Sequence, residues 1–482
     1  MNRLLLGTLF IVSLSSLKAQ TVYSLNDIIG LSQRQSSAAK QAETRKENQF
    51  WEYRLFRSNY NPQLALSGTL PGYSSQFLPV TQPDGTISYV PVKQTSSSLN
   101  LGLLQPIAAT GGSISINTNS SRFSNLLTDD TRWRSTVVDM TLNQPLFTFN
   151  QLRWDKKTEP LRYEESKRGY VEEMEFISRN SVTRFFDYLD AQVNYQIAQF
   201  NLANNDTIYN IEKGRYNIGN TSEDKLLQVE LQLLRSKQDL AQAQLDLQTS
   251  RLAIRIYTGM QEGEMFDLSL PEIIPVIVAD EASALQYARD NRADFIAFER
   301  RRLEADRQVA QARGERFQMD LNASVGLNSA GTDLSESYMD PNSQQIVNVS
   351  LRIPVVNWGR NEALIKTALA NKKLTDYVIA QDEQNFEQEI LTLTRQQAML
   401  NLQIEISKKS DEVAQKRYEV AQNRYLIGKI DITNLNIALT EKDNAKRSYI
   451  NALRAYWVAY YDLRRLTLYD FANGRLLYTR KD

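Results

Sequence analysis

A five-residue phrase occurs twice in this chain, as Arg215-Tyr216-Asn217-Ile218-Gly219 and as Arg424-Tyr425-Leu426-Ile427-Gly428. Each copy stands between two long helical patterns, and the segments upstream repeat in the same order. A helix-like stretch from Leu25 to about Tyr60 leads into a β-like region ending at Gln144-Pro145-Leu146-Phe147. A second, from Ser283 to about Arg316, leads into a shorter β-like region ending at Ile353-Pro354-Val355-Val356. Repetition on this scale means one plan built twice: helix, strands, proline, long helix, turn, long helix. The expected first repeat is 20–260, with a β segment at 62–147 and long helices at 150–213 and 222–259. A joining segment follows at 261–280. The second repeat is 281–466, with a β segment at 317–354 and helices at 360–424 and 431–466, and 467–482 form a tail.

The helices after both turns carry a seven-residue period. Leu226, Leu233, Leu240, Leu247 and Ile254 keep it in the first, with small residues Ser236, Ala243 and Ser250 three places further on. In the second, Ala438, Ala445, Ala452 and Ala459 keep it, with Leu435, Tyr449, Tyr456 and Leu463 as companions. Such a period specifies a left-handed coiled coil, although an amphipathic helix in a soluble bundle carries a similar one. Length separates the two. From Gln151 to Lys213 only Pro160, near the start, and Gly169 interrupt the helical pattern. About 60 residues at 1.5 Å each make a rod of roughly 90 Å, where globular helices average about a dozen residues.

Arg3, the apolar run Leu4–Leu14 and the small-residue stretch up to Ala19 read as a secretory signal peptide, 1–19. No Cys follows it to carry a lipid, and no later run of about 18 apolar residues could span a bilayer as a helix. With no Cys and no His, thiol nucleophiles, soft-metal sites and Ser-His-Asp triads are excluded. The balance of 56 basic against 56 acidic residues gives none of the bias that nucleic-acid binding uses. No phosphate loop, dinucleotide fingerprint or HExxH is present. The expectation is a non-enzyme with no cofactor.

Any membrane crossing must then be made by strands. Met319 to Leu327 and Val347 to Ile353 alternate apolar with polar, as do Leu99 to Leu103 and Val138 to Leu142; 62–70 and 112–120 are weaker candidates. One apolar and one polar face suit a barrel wall between lipid and water, and equally a half-buried sheet. Four to six strands cannot close a barrel, for which about eight is the minimum. An open edge in lipid costs several kcal/mol per unpaired backbone group. Strands in a membrane would therefore have to be pooled by several copies.

The tandem halves, the two RYxIG turns, and the QPLF and IPVVNWGR segments where strand gives way to helix resemble the TolC family of outer-membrane efflux proteins. The resemblance implies an α+β membrane protein of two tandem structural repeats. Its fold would be a trimeric channel whose outer-membrane β-barrel, 4–6 strands per protomer, continues into a long periplasmic α-helical coiled-coil barrel. Pro145 and Pro354 match the swivel between strand and helix. Arg215, Tyr216, Gly219, Arg424, Tyr425 and Gly428 match the periplasmic tip, where an adaptor protein docks. The implied function is an outer-membrane exit channel of a tripartite efflux or type I secretion system. Its partners would be two further copies, a periplasmic adaptor (membrane fusion) protein, an inner-membrane pump of RND or ABC type, and outer-membrane lipid. The alternative is a coiled-coil scaffold of the periplasm or cell surface that spans nothing.

The entrance departs from the family pattern. Where relatives place carboxylates after the second tip glycine, this chain has Asn434 and Ile437, and Lys429-Ile430 replaces an arginine. The charged candidates for an entrance gate are Glu223, Asp224, Lys225, Lys429 and Asp431, with Asn434. A contact from Lys429 to Glu223 or Asp224 is the expected closing link.

Overall fold

Matching series of elements form in both halves of the chain. The computed structural model describes residues 21–261, 266–275, 277 and 279–478, so the expected signal peptide lies outside them. The first half contains β1 (Thr21–Tyr23), α1 (Leu25–Gln35), α2 (Ser37–Ser58), β2 (Gln63–Thr81), β3 (Ile87–Ile107), β4 (Gly112–Asn125), β5 (Asp130–Leu146), α3 (Gln151–Asn217) and α4 (Glu223–Thr258). The second contains β6 (Phe266–Leu268), α5 (Glu281–Asn291), α6 (Ala293–Gly314), β7 (Gln318–Gly331), β8 (Asn342–Arg352), α7 (Arg360–Leu426), α8 (Ile432–Thr467), β9 (Tyr469–Asp470) and β10 (Arg475–Leu476). Helices α3 and α7 have 67 residues each, and α4 and α8 have 36 each.

Two expected helices each divide in two. Ser36 stands between α1 and α2 in extended conformation, and its hydroxyl accepts the Ala39 N–H at 3.0 Å, so it starts a new helix instead of continuing the old one. Arg292 adopts the same conformation between α5 and α6. Neither break contains a proline or glycine, so no helix-stopping residue marks it in the sequence.

The elements form two compact units that each draw on both halves. Among the described residues, one comprises 21–44, 170–292 and 387–478. Its core joins Leu25 and Ile28 of α1, Phe185, Phe186 and Tyr188 of α3, Phe266 of β6, and Leu453, Tyr456 and Trp457 of α8. β1 and β6 pair in parallel, and β9 and β10 form an antiparallel pair within what sequence read as a tail. Arg464 of α8 binds Glu175 through two hydrogen bonds of 2.8 and 2.9 Å and Asp470 at 3.1 Å. Asp470, fully buried, also accepts from the Tyr460 hydroxyl at 3.0 Å. A buried guanidinium held by two carboxylates is compensated on each side, which is what makes the charges tolerable there.

The other unit comprises 45–169 and 293–386. Its sheet is antiparallel throughout, in the order β2-β3-β4-β5-β7-β8. The first half supplies four strands and the second two, the upper end of the expected range. Strand lengths run from 11 to 21 residues, longer than the expected ten or so, because extensions of mixed polar and apolar residues prolong the alternating cores. Among the described residues, neither outer strand, β2 nor β8, has a partner on its far edge. Below the sheet's sequence neighbours, Arg300 of α6 binds Glu165 of α3 at 2.6 Å, and Arg301 binds Asp382 of α7 at 3.0 Å, fastening the helices of this unit together.

Candidate functional site: the helix turns and the two faces of the sheet

Both RYxIG phrases end a long helix in the same way. Gly219 and Gly428 adopt φ of 76° and 72°. The Gly219 N–H donates to the Tyr216 carbonyl at 2.9 Å and the Asn220 N–H to the Arg215 carbonyl at 2.8 Å. In the second turn Gly428 and Lys429 donate to Tyr425 and Arg424 at the same two distances. This double return is a Schellman termination, which needs a left-handed residue and so favours glycine. The next helices begin on caps: the Ser222 hydroxyl accepts from the Lys225 N–H at 3.4 Å, and Asp431 accepts both the backbone and side-chain N–H groups of Asn434, at 2.9 and 2.8 Å. Glu223 and Asp224 occupy the first turn of α4, where the helix N-terminus favours negative charge.

The side chains of the two phrases diverge. Tyr425 is 3% exposed and Tyr216 40%. The Tyr425 hydroxyl donates to Glu212 Oε1 of α3 at 2.7 Å, and Arg215 Nη1 donates to the same oxygen at 2.7 Å. The Arg215 guanidinium also lies 5.7 Å from the centre of the Tyr425 ring. Burial pushes the Glu212 carboxyl up, but hydrogen bonds from Tyr425, Arg215 and Thr221 outweigh it and hold the group below the usual glutamate range. Burial, reinforced by Glu212, pushes the Tyr425 phenol well above its ordinary value. Tyr425 also belongs to an apolar cluster with Ile208, Val229, Tyr418, Ile432, Leu435 and Leu439.

Lys429 does not reach Glu223 or Asp224. No ion pair among the described residues joins them; Lys429 and both acids are exposed, and the acids face the α4 N-terminus. The contact joining the two turns is instead Tyr425–Glu212–Arg215, beside a cleft of about 660 Å³ also lined by Lys225, Lys429 and Asp431. Arg424, Asn434 and Tyr216 are exposed. Sequence reading missed Glu212, although comparing the repeats offered a signal: three residues before Arg215 stands Glu212, and three before Arg424 stands Ala421.

Pro145 is the penultimate residue of β5, and Pro354 lies just past β8. Each precedes its long helix, α3 from Gln151 or α7 from Arg360, by the same interval. An aromatic residue with positive φ follows each proline, Phe147 at 60° and Trp358 at 52°. The sharp bend therefore falls on the aromatic residue, with the proline closing the ladder ahead of it.

The sheet has one apolar and one polar face. Residues paired directly across strands share a face. Leu64 and Leu66 of β2 pair with Leu103 and Leu101 of β3, and Leu103 pairs with Ile116 of β4. Ile114 and Ile116 pair with Leu142 and Met140 of β5, which pair with Ala323 and Val325 of β7. Leu321 and Ala323 pair with Val349 and Val347 of β8. On the other face Gly102 pairs with Asn117, Asn117 with Asp139, Asn143 with Asn322, and Asn322 with Asn348. In the single chain Leu64, Leu66, Leu101, Met140, Val347 and Val349 are all exposed. Among the described residues no helix is long and apolar enough to cross a membrane.

The profile of the family described as "Outer membrane efflux protein" matches residues 109–260 and 284–467, one stretch in each repeat and together well over half the chain. No curated protein sequence matches. Among solved structures, CusC, described as forming a transmembrane channel, superposes with a TM-score of 0.64 at 17% identity, over 95% of this chain and 93% of its own. The outer membrane protein VceC of Vibrio cholerae gives 0.64 at 15% identity, over 93% and 96%. The CmeC outer membrane channel of Campylobacter jejuni gives 0.64 at 16%, over 92% and 85%. These likenesses establish a TolC-like fold, and the two matched stretches settle the kinship: the chain belongs to the outer membrane efflux protein family.

Proposed function

We propose that three copies of this chain form a passive exit duct, with the sheets pooled into a barrel in the outer membrane and the long helices lining a path across the periplasm. The observation that carries this reading is the six-stranded sheet itself. One face is apolar and exposed, the other is polar, and among the described residues both edges lack a strand partner. Such a sheet is stable in lipid only when neighbouring copies complete the ladder, because each unpaired backbone group in hydrocarbon costs several kcal/mol. The duct needs no chemistry of its own; an inner-membrane pump of RND or ABC type and a periplasmic adaptor supply energy and delivery in a tripartite efflux or type I secretion system.

In this reading the two RYxIG turns form the periplasmic tip on which the adaptor docks, through Arg215, Tyr216 and Gly219 in one turn and Arg424, Tyr425 and Gly428 in the other. The Tyr425–Glu212 bond holds the α3–α4 and α7–α8 hairpins together at the entrance, and Glu223, Asp224, Lys225, Lys429, Asp431 and Asn434 set the charge around it. Pro145 and Pro354 end the strands at the membrane boundary. Fractionation followed by planar-bilayer recording tests the proposal. The expected result is an outer-membrane protein, trimeric on unheated gels, that adds discrete conductance steps. A monomer recovered in the aqueous fraction and silent in the bilayer would overturn it.

A further inference from the structure

The first repeat carries a strand hairpin, β2–β3, that the second repeat does not have. We infer that this hairpin is part of the membrane wall, so that the trimer closes an eighteen-stranded barrel with a lumen as wide as a general porin's, suited to bulky solutes. The inference rests on the trimeric-channel reading above and adds to it the width of the pore.

Three observations place the hairpin in the wall. The apolar face does not stop at β4: Ile116 pairs with Leu103 of β3, and Leu103 and Leu101 pair with Leu64 and Leu66 of β2, which carries the face to the sheet's edge. β3 and β4 are paired without a register shift from Gln94↔Asn125 to Ile107↔Gly112, so the edge of β4 is already occupied and cannot accept a neighbouring copy. The base of the hairpin is also fastened like the rest. Gln105 donates to the Tyr60 carbonyl at 3.0 Å, the Tyr60 hydroxyl donates to the Leu152 carbonyl at 2.7 Å, and Asn150 donates to the Ala108 carbonyl at 3.0 Å.

Sequence supports the same grouping. Three strands run toward the helices, β3, β5 and β8, and each meets a proline at its end: Pro106, Pro145 and Pro354. Gln105 and Gln144 precede the first two, and each donates to the carbonyl of the proline that follows, at 2.7 and 2.8 Å. The extra hairpin therefore ends on the same device as the strands of the common plan.

The edges left over are built to be paired. Exposed edge strands are ordinarily blunted by charge, proline or bulges; β8 has only Arg352, at its last position, and β2 has no charge, with Pro71, Pro79 and its register shift all beyond the regular Gln63–Thr69 stretch. With six strands per copy, β8 of one copy runs antiparallel to β2 of the next, so the closing ladder is of the same kind as the five inside the chain. Barrels of about 16–18 strands enclose an open aqueous channel, whereas small barrels fill with their own side chains.

The chain has no cysteine, so introduced pairs read contacts without background. L66C is combined in turn with V347C, V349C and L351C to sample the stagger between copies, and, as the contrasting edge, T118C of β4 is combined with the same three. Cysteines on directly paired strands lie within disulfide reach. Each variant is first checked for a trimer on unheated gels. Most of the chain should become covalently linked dimer and trimer through at least one β2–β8 pair, and none through β4. Links from β4 to β8 with β2 silent would overturn the inference and leave the channel standing, since four strands per copy would then form the wall. No links and no trimer would sink the channel reading with it. As a second measure on the unmodified protein, neutral polymers that enter a general porin should lower its conductance; their exclusion would overturn the width assigned here.

Discussion

Helices α4 and α8 occupy equivalent places in the two repeats and have the same length, yet they meet different surroundings. In α8 the seven-residue seam of Leu435, Tyr449, Tyr456 and Leu463 is buried, with Ala438, Ala452 and Ala459 beside it. In α4 one seam is covered, at Leu233, Ala243 and Ile254, while a second, formed by Leu227, Leu231, Leu234, Leu245, Leu252 and Ile256, is exposed. The exposed residues follow a three-and-four spacing, which is one stripe of a helix. A chain built twice from one plan has thus placed one helix inside its own core and left its counterpart apolar on two sides. The difference teaches that α8 stabilises the protomer, and it leaves on α4 the apolar stripe that the trimer proposed above would use to meet another copy.

The largest effect should separate Arg464 from Arg255, which sit at the same place in the last turns of α8 and α4. Arg464→Leu leaves Glu175 and Asp470 buried without their cation and should cost about 3–5 kcal/mol, seen as a loss of thermal stability. Arg255→Leu should change it little. Equal losses would mean that α4 carries a buried charge network of its own and would end the comparison.

Next comes apolar packing. Leu453, fully buried in α8, should lose about 2–5 kcal/mol on replacement by alanine. Paired Leu231→Asp and Leu245→Asp replacements in α4 should leave helix content by circular dichroism unchanged and convert the trimer on unheated gels to monomer. Trimers that survive both aspartates would place the copy-to-copy contact elsewhere.

The features legible in sequence are those in which local chemistry has one solution. The RYxIG turns were visible because a Schellman ending needs a glycine, and the long helices ended within a few residues of their expected bounds. The cores of the strands were visible because apolar and polar residues alternate there. Their outer extensions, such as Tyr73–Thr81 of β2 and Ile87–Ser96 of β3, were not, since Pro79, Pro91 and adjacent apolar pairs such as Phe77-Leu78 and Tyr89-Val90 break the strict alternation. Glu212 and Asp470 were hidden for a different reason. Glu212 matters through Tyr425, more than two hundred residues along the chain, and Asp470 belongs to a network whose other carboxylate, Glu175, is as distant from Arg464, so no local pattern marks either partner.

A smaller difference is expected at the paired tyrosines. Tyr425→Phe removes the donor that joins α7 to α3 through Glu212 and should cost about 1–3 kcal/mol, while Tyr216→Phe, on the exposed counterpart, should be close to neutral. The bond is also pH-dependent. Because the folded state holds Glu212 below the ordinary glutamate pKa of about 4.3, its contribution is complete above that value and is lost as pH falls through the lower folded one. Conductance of the closed channel should therefore rise below about pH 4 in the native protein, and Tyr425→Phe should be more open already at neutral pH, with a weaker acid response. A native channel whose closed state is unchanged by acid would remove Glu212 from the entrance.

The two glycines supply the smallest effect and the strictest control. Gly219 and Gly428 share nearly the same positive φ, and a Cβ added to either meets nothing within 4 Å. Alanine at either position should therefore cost only the backbone strain of a left-handed L-residue, about 1–2 kcal/mol, and the two costs should agree within about 0.5 kcal/mol. Their agreement would locate the divergence of the repeats in side chains and not in the turns themselves. A markedly larger loss at Gly428 would mean that the second turn is held by contacts the first does not make, and the asymmetry now assigned to Tyr425 and Glu212 would then extend into the backbone.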